Sequence, residues 1–184
     1  MATASLDAWY MDSSEADQRL EHRLSPNEPC PVPILAALGV HYWHVDPATY
    51  AQSDRYKAIC QVQGFSYEDE IEIHKDRLPD YEKKIKIFFE EHIHADDEIR
   101  YVLEGSGYFD VRDKQDRWVR ISCQKGDMIS LPAGIYHRFT LDDNNFIKAK
   151  RLFVGDPVWT PLNRAEGEVV DTHPARVAYV QGQA

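Results

Sequence analysis

From residue 99 to residue 153 closely spaced turn signals cut the chain into short, strand-length runs, and that rhythm limits its fold more than any other feature. The runs are Ile99 to Leu103, Tyr108 to Arg112, Trp118 to Ser122, Met128 to Leu131, His137 to Leu141 and Ala149 to Phe153. Between them lie Gly105-Ser106-Gly107, Asp113 to Asp116, Lys125-Gly126-Asp127, Pro132-Ala133-Gly134 and Asp142-Asp143-Asn144-Asn145. Many short strands at this turn spacing predict an antiparallel sandwich or barrel.

Helices are expected in the N-terminal half. Ala8-Trp9-Tyr10-Met11 suits a strand, and the proline-rich stretch from Arg23 to Pro33 suits a loop. Ile34 to Leu38 reads as a helical turn ending at Gly39, and Val40 to Val45 alternates like a strand. Asp46-Pro47 is a cap followed by a proline, which predicts a helix from Ala48 to Val62, up to Gly64. Tyr67 to His74 fits either state. Tyr81, Ile85 and Phe88 or Phe89 recur at helical spacing and predict a helix ending near Glu90. Residues 1–162 are expected to form one domain with an N-terminal α/β elaboration, and residues 163–184 a loosely attached tail.

Composition narrows the function classes. Hydrophobic residues make up 43%, with four Trp, ten Tyr and seven Phe, which excludes a disordered chain. A net charge of −10 argues against nucleic acid or an anionic membrane surface as partner. Cys30, Cys60 and Cys123 are an odd, dispersed set without a CxxC pair, as expected in a reducing compartment. No run approaches the roughly 18 apolar residues of a membrane span, and the first residues lack the blocks of a signal peptide. A cytoplasmic protein is expected, with the nucleus open as a second compartment.

The chemistry concentrates between Glu91 and Gly107. His92 and His94 are two apart, so on a strand both leave the same face, and Glu98 follows after a short acidic turn. Two imidazoles and a carboxylate are three arms of a first-row metal site. His137, in Pro132-Ala133-Gly134-Ile135-Tyr136-His137, is the candidate fourth. An isolated His-x-His is as readily a surface pair; Glu98 in phase and the downstream histidine lift it above that. His22, His41, His44, His74 and His173 lack this setting, although His41 and His44 flank Trp43 and a possible pocket. Arg100 shares the parity of Glu98, and an inward arginine needs an anionic partner, either a substrate oxygen or a neighbouring acid. Phe88, Val102, Phe109 and Phe139 are candidates for an apolar wall. Asp96 and Asp97 sit in the turn between ligands and read as solvated.

Gly126-x5-Pro132-x-Gly134-x2-His137 and His92-x-His94-x3-Glu98-x6-Gly105 match most of the two cupin motifs. Lys86 and Leu141 stand where those motifs carry glycine and asparagine, yet all four ligand positions are filled. More specifically, the chain resembles the acireductone dioxygenases. The resemblance runs through Trp9-Tyr10-Met11-Asp12, Leu38-Gly39-Val40, Leu78-Pro79-Asp80-Tyr81, Glu90 to Asp113, Lys125 to Met128, Leu131 to Phe139 and Arg151 to Gly155. It implies a mainly β, cupin-type barrel (jelly roll) that binds one Fe(II) or Ni(II) per chain through His92, His94, Glu98 and His137. It further implies a methionine-salvage enzyme acting on acireductone (1,2-dihydroxy-5-methylthiopent-1-en-3-one) with O2. The iron form of the family gives 4-methylthio-2-oxobutanoate and formate; the nickel form gives 3-methylthiopropanoate, formate and carbon monoxide. In this reading Arg100 orients the enediolate, the apolar wall holds the methylthio tail, and the protein is a monomer. A zinc or manganese cupin isomerase and a non-catalytic cupin binding or regulatory protein are the alternatives.

Overall fold

A computed structural model describes residues 6–182. In chain order come β1 (Asp7–Tyr10), α1 (Val32–Ala37), β2 (His41–His44), α2 (Asp54–Gln63), β3 (Tyr67–Ile73), α3 (Tyr81–Phe89), β4 (His92–Ile93) and β5 (Glu98–Arg112). The chain continues with β6 (Trp118–Gln124), β7 (Asp127–Leu131), β8 (His137–Leu141), β9 (Ile147–Phe153), β10 (Leu162–Asn163), α4 (Glu168–Asp171) and α5 (Pro174–Gly182). The mainly β, antiparallel fold expected from the turn rhythm is present, with α1, α2 and α3 in the N-terminal half.

Two departures concern where elements begin and end. The helix expected from Ala48 starts at Asp54 instead. Asp46 caps only a tight turn, accepting from the Ala48 amide at 3.0 Å, and the Ser53 hydroxyl caps α2 by accepting from the Tyr56 amide at 3.3 Å. The second departure matters more. Gly105-Ser106-Gly107 does not separate two strands; β5 runs through it unbroken. Gly105 sits at φ +73°, where a side chain would fall on the Phe146 carbonyl oxygen, and the register with β9 shifts between Val102 and Glu104. The glycines therefore bend a long strand.

That bend builds the fold. Up to Gly105, β5 pairs with β7 and β9; beyond it, with β6 and β8. One strand thus belongs to two antiparallel leaves, β2-β7-β5-β9-β3 and β1-β6-β5-β8-β4-β10. Their inner faces share one core, where Val102, Ile129, Leu131 and Ile147 of the first leaf meet Val111, Val119, Ile121 and Leu141 of the second. Ile85 and Phe88 place α3 against the same core.

The C-terminal segment differs from the loose tail expected. β10 pairs with β4, Val170 of α4 is buried with Ile93 and Tyr136, and the Tyr179 hydroxyl of α5 donates to the Leu38 carbonyl at 3.1 Å. Single anchors spaced along an irregular segment carry no periodicity, so pattern reading misses them.

A buried ion pair ties the N-terminal strap to the second leaf. The fully buried Arg120 makes a bidentate pair with Asp110 at 2.7 and 2.8 Å, and Arg138 reaches the same carboxylate at 2.9 Å. Arg120 also donates to the Gln18 and Leu20 carbonyls, which holds the strap. Removing the carboxylate strands two guanidiniums. Asp110→Ala should therefore lose about 3–5 kcal/mol in urea unfolding; a loss under about 1 kcal/mol would show the pair to be dispensable.

Candidate metal centre

Three strand ends meet at one place. β4 and β8 pair with His92 opposite His137, and Glu98 opens β5. His94 follows β4, and its carbonyl accepts from the Gly134 amide at 3.0 Å, so the turn carrying His137 is stitched to the His92–His94 segment. One donor atom from each of His92, His94, Glu98 and His137 lies within 4.8 Å of all the others. His94 Nε2 is 3.1 Å and His137 Nε2 3.7 Å from Glu98 Oε2. The structure thus assembles all four residues singled out as ligands.

The imidazoles are oriented by the backbone. His92 Nδ1 faces the Glu90 carbonyl at 2.6 Å, His94 Nδ1 the Thr160 carbonyl at 3.3 Å and His137 Nδ1 the Ile135 carbonyl at 2.9 Å. A carbonyl only accepts, so each Nδ1 carries the proton and each Nε2 presents a lone pair. That lone pair is what a metal ligand needs. His137 Nε2 is buried and has no hydrogen-bond partner among the described residues. An orphaned acceptor beside two more imidazoles and a carboxylate fits a cation.

Electrostatics agree. Burial would push the Glu98 carboxyl up, but the Arg100 guanidinium beside it holds it well below the ordinary carboxylate range. Burial lowers His92 to about 3, with the neighbouring His137 acting in the same direction. Both groups therefore stay in the metal-binding protonation state at neutral pH.

A cavity of about 170 Å3 opens on the four residues. Arg100, Phe88, Phe109 and Phe139 line it, with the Phe88 and Phe139 rings edge to face at 6.3 Å. Val102, on the face of Glu98 and Arg100, is buried in the core beside Ile73 and Ile147 and lies outside the cavity lining. Arg100 does have an acid neighbour: its NH2 is 3.2 Å from Glu98 Oε2, and NH1 donates to the Ile99 carbonyl at 3.0 Å.

Among the lining residues that sequence reasoning missed are Ile71, Ile87, Ala149, Arg151 and Trp159. Arg151 is paired with Asp69 at 2.5 and 2.7 Å and stacks 3.6 Å from the Trp159 ring. Its register opposite Arg100 could be found only once β5 and β9 were known to pair. Asp97 anchors the His137 turn through the Ala133 amide at 2.8 Å, and His44 lies against Asp127 at 3.1 Å, outside the cavity.

A two-leaved antiparallel fold of jelly-roll type holding three imidazoles and a carboxylate around one point defines a metal-binding protein of the cupin type. The chain belongs to the ARD/ARD′ family, whose sequence model matches residues 7–161. The acireductone dioxygenase of Xenopus tropicalis is 59% identical over 176 residues, 96% of this chain and 96% of that protein. Acireductone dioxygenase 2 of Vitis vinifera is 56% identical over 96% of this chain and 86% of its own. A solved acireductone dioxygenase from Bacillus anthracis, with a cadmium ion in its active centre, superposes with a TM-score of 0.67. It shares 22% identity, covers 87% of this chain and 99% of its own, and supports the fold.

The depressed His92 gives a sign for pH. Between about 6.5 and about 3 the unfolded chain carries a proton on His92 that the folded chain does not. Stability contributed by neutral His92 is therefore complete above pH 6.5 and lost as pH falls through that window. Metal-free protein should lose up to about 1.4 kcal/mol per pH unit there from this group. Urea melts at successive pH values test it: the slope should flatten in His92→Gln, and an unchanged slope would refute the assignment.

Proposed function

We propose that this chain is an acireductone dioxygenase that binds one Fe(II) or Ni(II) through His92, His94, Glu98 and His137. The observation that carries the reading is the orphaned, buried His137 Nε2 turned toward three further donors beside a small cavity. Neutral imidazoles with one carboxylate suit iron and nickel better than soft copper(I). A divalent ion held there would supply Lewis acidity toward a chelating enediol and its reaction with O2.

The chain's own residues do the rest. The cavity is below the roughly 300–1,000 Å3 of drug-sized sites, which suits a small substrate. Arg100 lines it, and the Ile99 carbonyl and Glu98 carboxylate use only part of its five N–H donors. Burial lowers the Arg100 pKa while Glu98 raises it, and a guanidinium stays charged throughout. Its remaining donors bind the enediolate oxygens, which orients the substrate and stabilises negative charge as it develops. Phe88, Phe109 and Phe139, whose ring edges suit a thioether sulfur, hold the methylthio tail and keep water away from it. Val102 supports this wall from the core. Product choice follows the ion loaded, because both ions use the same four residues. In this reading acireductone and O2 are the only partners the reaction needs, a monomer suffices, and the enzyme works in the cytoplasm or nucleus.

Anaerobic metal removal and reconstitution with Fe(II) or Ni(II), followed by product analysis, tests the proposal. O2 uptake with acireductone is expected with both, and carbon monoxide with nickel alone. No O2 uptake with either ion, or activity restored only by zinc or manganese without O2, would overturn it. Arg100→Ala should lower kcat/KM by about two to three orders of magnitude with metal content unchanged. Full turnover in that variant would remove Arg100 from the mechanism.

A further inference from the structure

Behind the metal centre, on the side away from the cavity, lies a layer of arginines, acids and aromatic rings. One residue in it, Arg164, comes from the C-terminal segment. Its NH1 is 2.7 Å from Glu91 Oε1, and its guanidinium lies 4.5 Å from the centre of the Tyr136 ring. Glu91 directly precedes His92 and Tyr136 directly precedes His137, and those two histidines face each other across β4 and β8. A single side chain therefore grips the chain one residue before each of two opposed metal-ligand positions. Its backbone amide adds a bond to the Glu91 carbonyl at 2.9 Å, and Asp116 accepts from NH1 at 2.7 Å and from NH2 at 3.1 Å, so NH1 is shared between the two acids.

We propose that Arg164 is a positioning residue for metal retention, setting the separation of His92 and His137 through Glu91 and Tyr136. The proposal rests on the reading that His92 and His137 hold the ion. β4 is only two residues long, so its own ladder holds His92 weakly. The segment from Thr160 to Arg164 reinforces it three times: β10 pairs with β4, Arg164 clamps Glu91, and Thr160 orients the His94 imidazole.

The effect separates from ordinary stability. Glu91 keeps a bidentate partner in Arg112, at 2.9 and 3.1 Å, when Arg164 is removed, so no buried charge is stranded. Arg164 itself is 35% exposed, and partly exposed pairs add little to global stability. Small displacements of ligands, by contrast, weaken metal binding strongly. Arg176 provides the matched control: it stacks on the same Tyr136 ring at 4.3 Å, and its NH1 donates to the Gly134 carbonyl, with no bond to Glu91.

The test uses the full chain loaded with Co(II), challenged with excess EDTA and followed by the visible Co(II) absorption. Arg164→Ala and Glu91→Gln should each release Co(II) about tenfold faster than the parent and shift its absorption band. Arg176→Ala should stay within about twofold, and Arg164→Ala combined with Glu91→Gln should be no faster than the quicker single variant. Parental release from Arg164→Ala, equal acceleration by Arg176→Ala, or multiplicative effects in the double variant would overturn the positioning role. If Arg164→Ala does not fold, Glu91→Gln compared with Arg176→Ala decides the same question. His137→Ala separates the two levels: if it holds Co(II) as the parent does, the metal-site reading fails and takes this inference with it.

Discussion

The structure turns on three imidazole lone pairs that have nowhere else to go. Backbone carbonyls of Glu90, Thr160 and Ile135 take the Nδ1 side of each ring, which leaves the Nε2 atoms facing the Glu98 carboxylate. Leaving a buried polar atom such as His137 Nε2 without a partner costs about 1–3 kcal/mol. A cation at their common focus offsets that cost. The tautomers are chosen by backbone geometry, and that geometry comes from strand ends and turns, so the chemistry depends on how well those ends are held.

β5 does most of the holding. It delivers Glu98 and Arg100 from the half that pairs with β7 and β9, then bends at Gly105 and pairs with β8, which carries His137 and Phe139. One continuous strand thus links the carboxylate, the guanidinium and the third histidine in a fixed relation. β4, by contrast, is short and sits between β8 and β10, so the C-terminal segment closes the site from behind. The excess of acids over bases in the chain is not carried into the cavity lining, where Arg100 and Arg151 stand beside Glu98.

Much of this was legible in the residues. The turn rhythm of the second half and the helix at Tyr81–Phe89 are local patterns, and local patterns survive in a linear text; Tyr67 to His74, which fitted either state, became a strand only through its pairing with β9. The four ligand positions were legible for a similar reason: His92, His94 and Glu98 are close in sequence, and His137 stands in its own turn motif. Three of the four residues named for the apolar wall line the cavity. Val102 shares the parity of Glu98 and Arg100, but parity reports the face of a strand and not the depth along it. Gly105-Ser106-Gly107 misled because a glycine pair signals a bend as readily as a strand end; only the partners on either side distinguish the two.

The amino-acid order by itself determined that the chain would be antiparallel β, that it would carry two imidazoles and a carboxylate in phase with a further histidine in a downstream turn, and that an arginine would share the parity of the carboxylate. Periodicity, turn chemistry and donor type are properties of neighbours along the backbone. The tertiary structure alone decided which distant segments would meet: Thr160 beside His94, Arg151 opposite Arg100, and Arg164 between Glu91 and Tyr136. Those contacts span many residues and repeat at no period, so they exist only once β5 has bent and both leaves have closed on a common core.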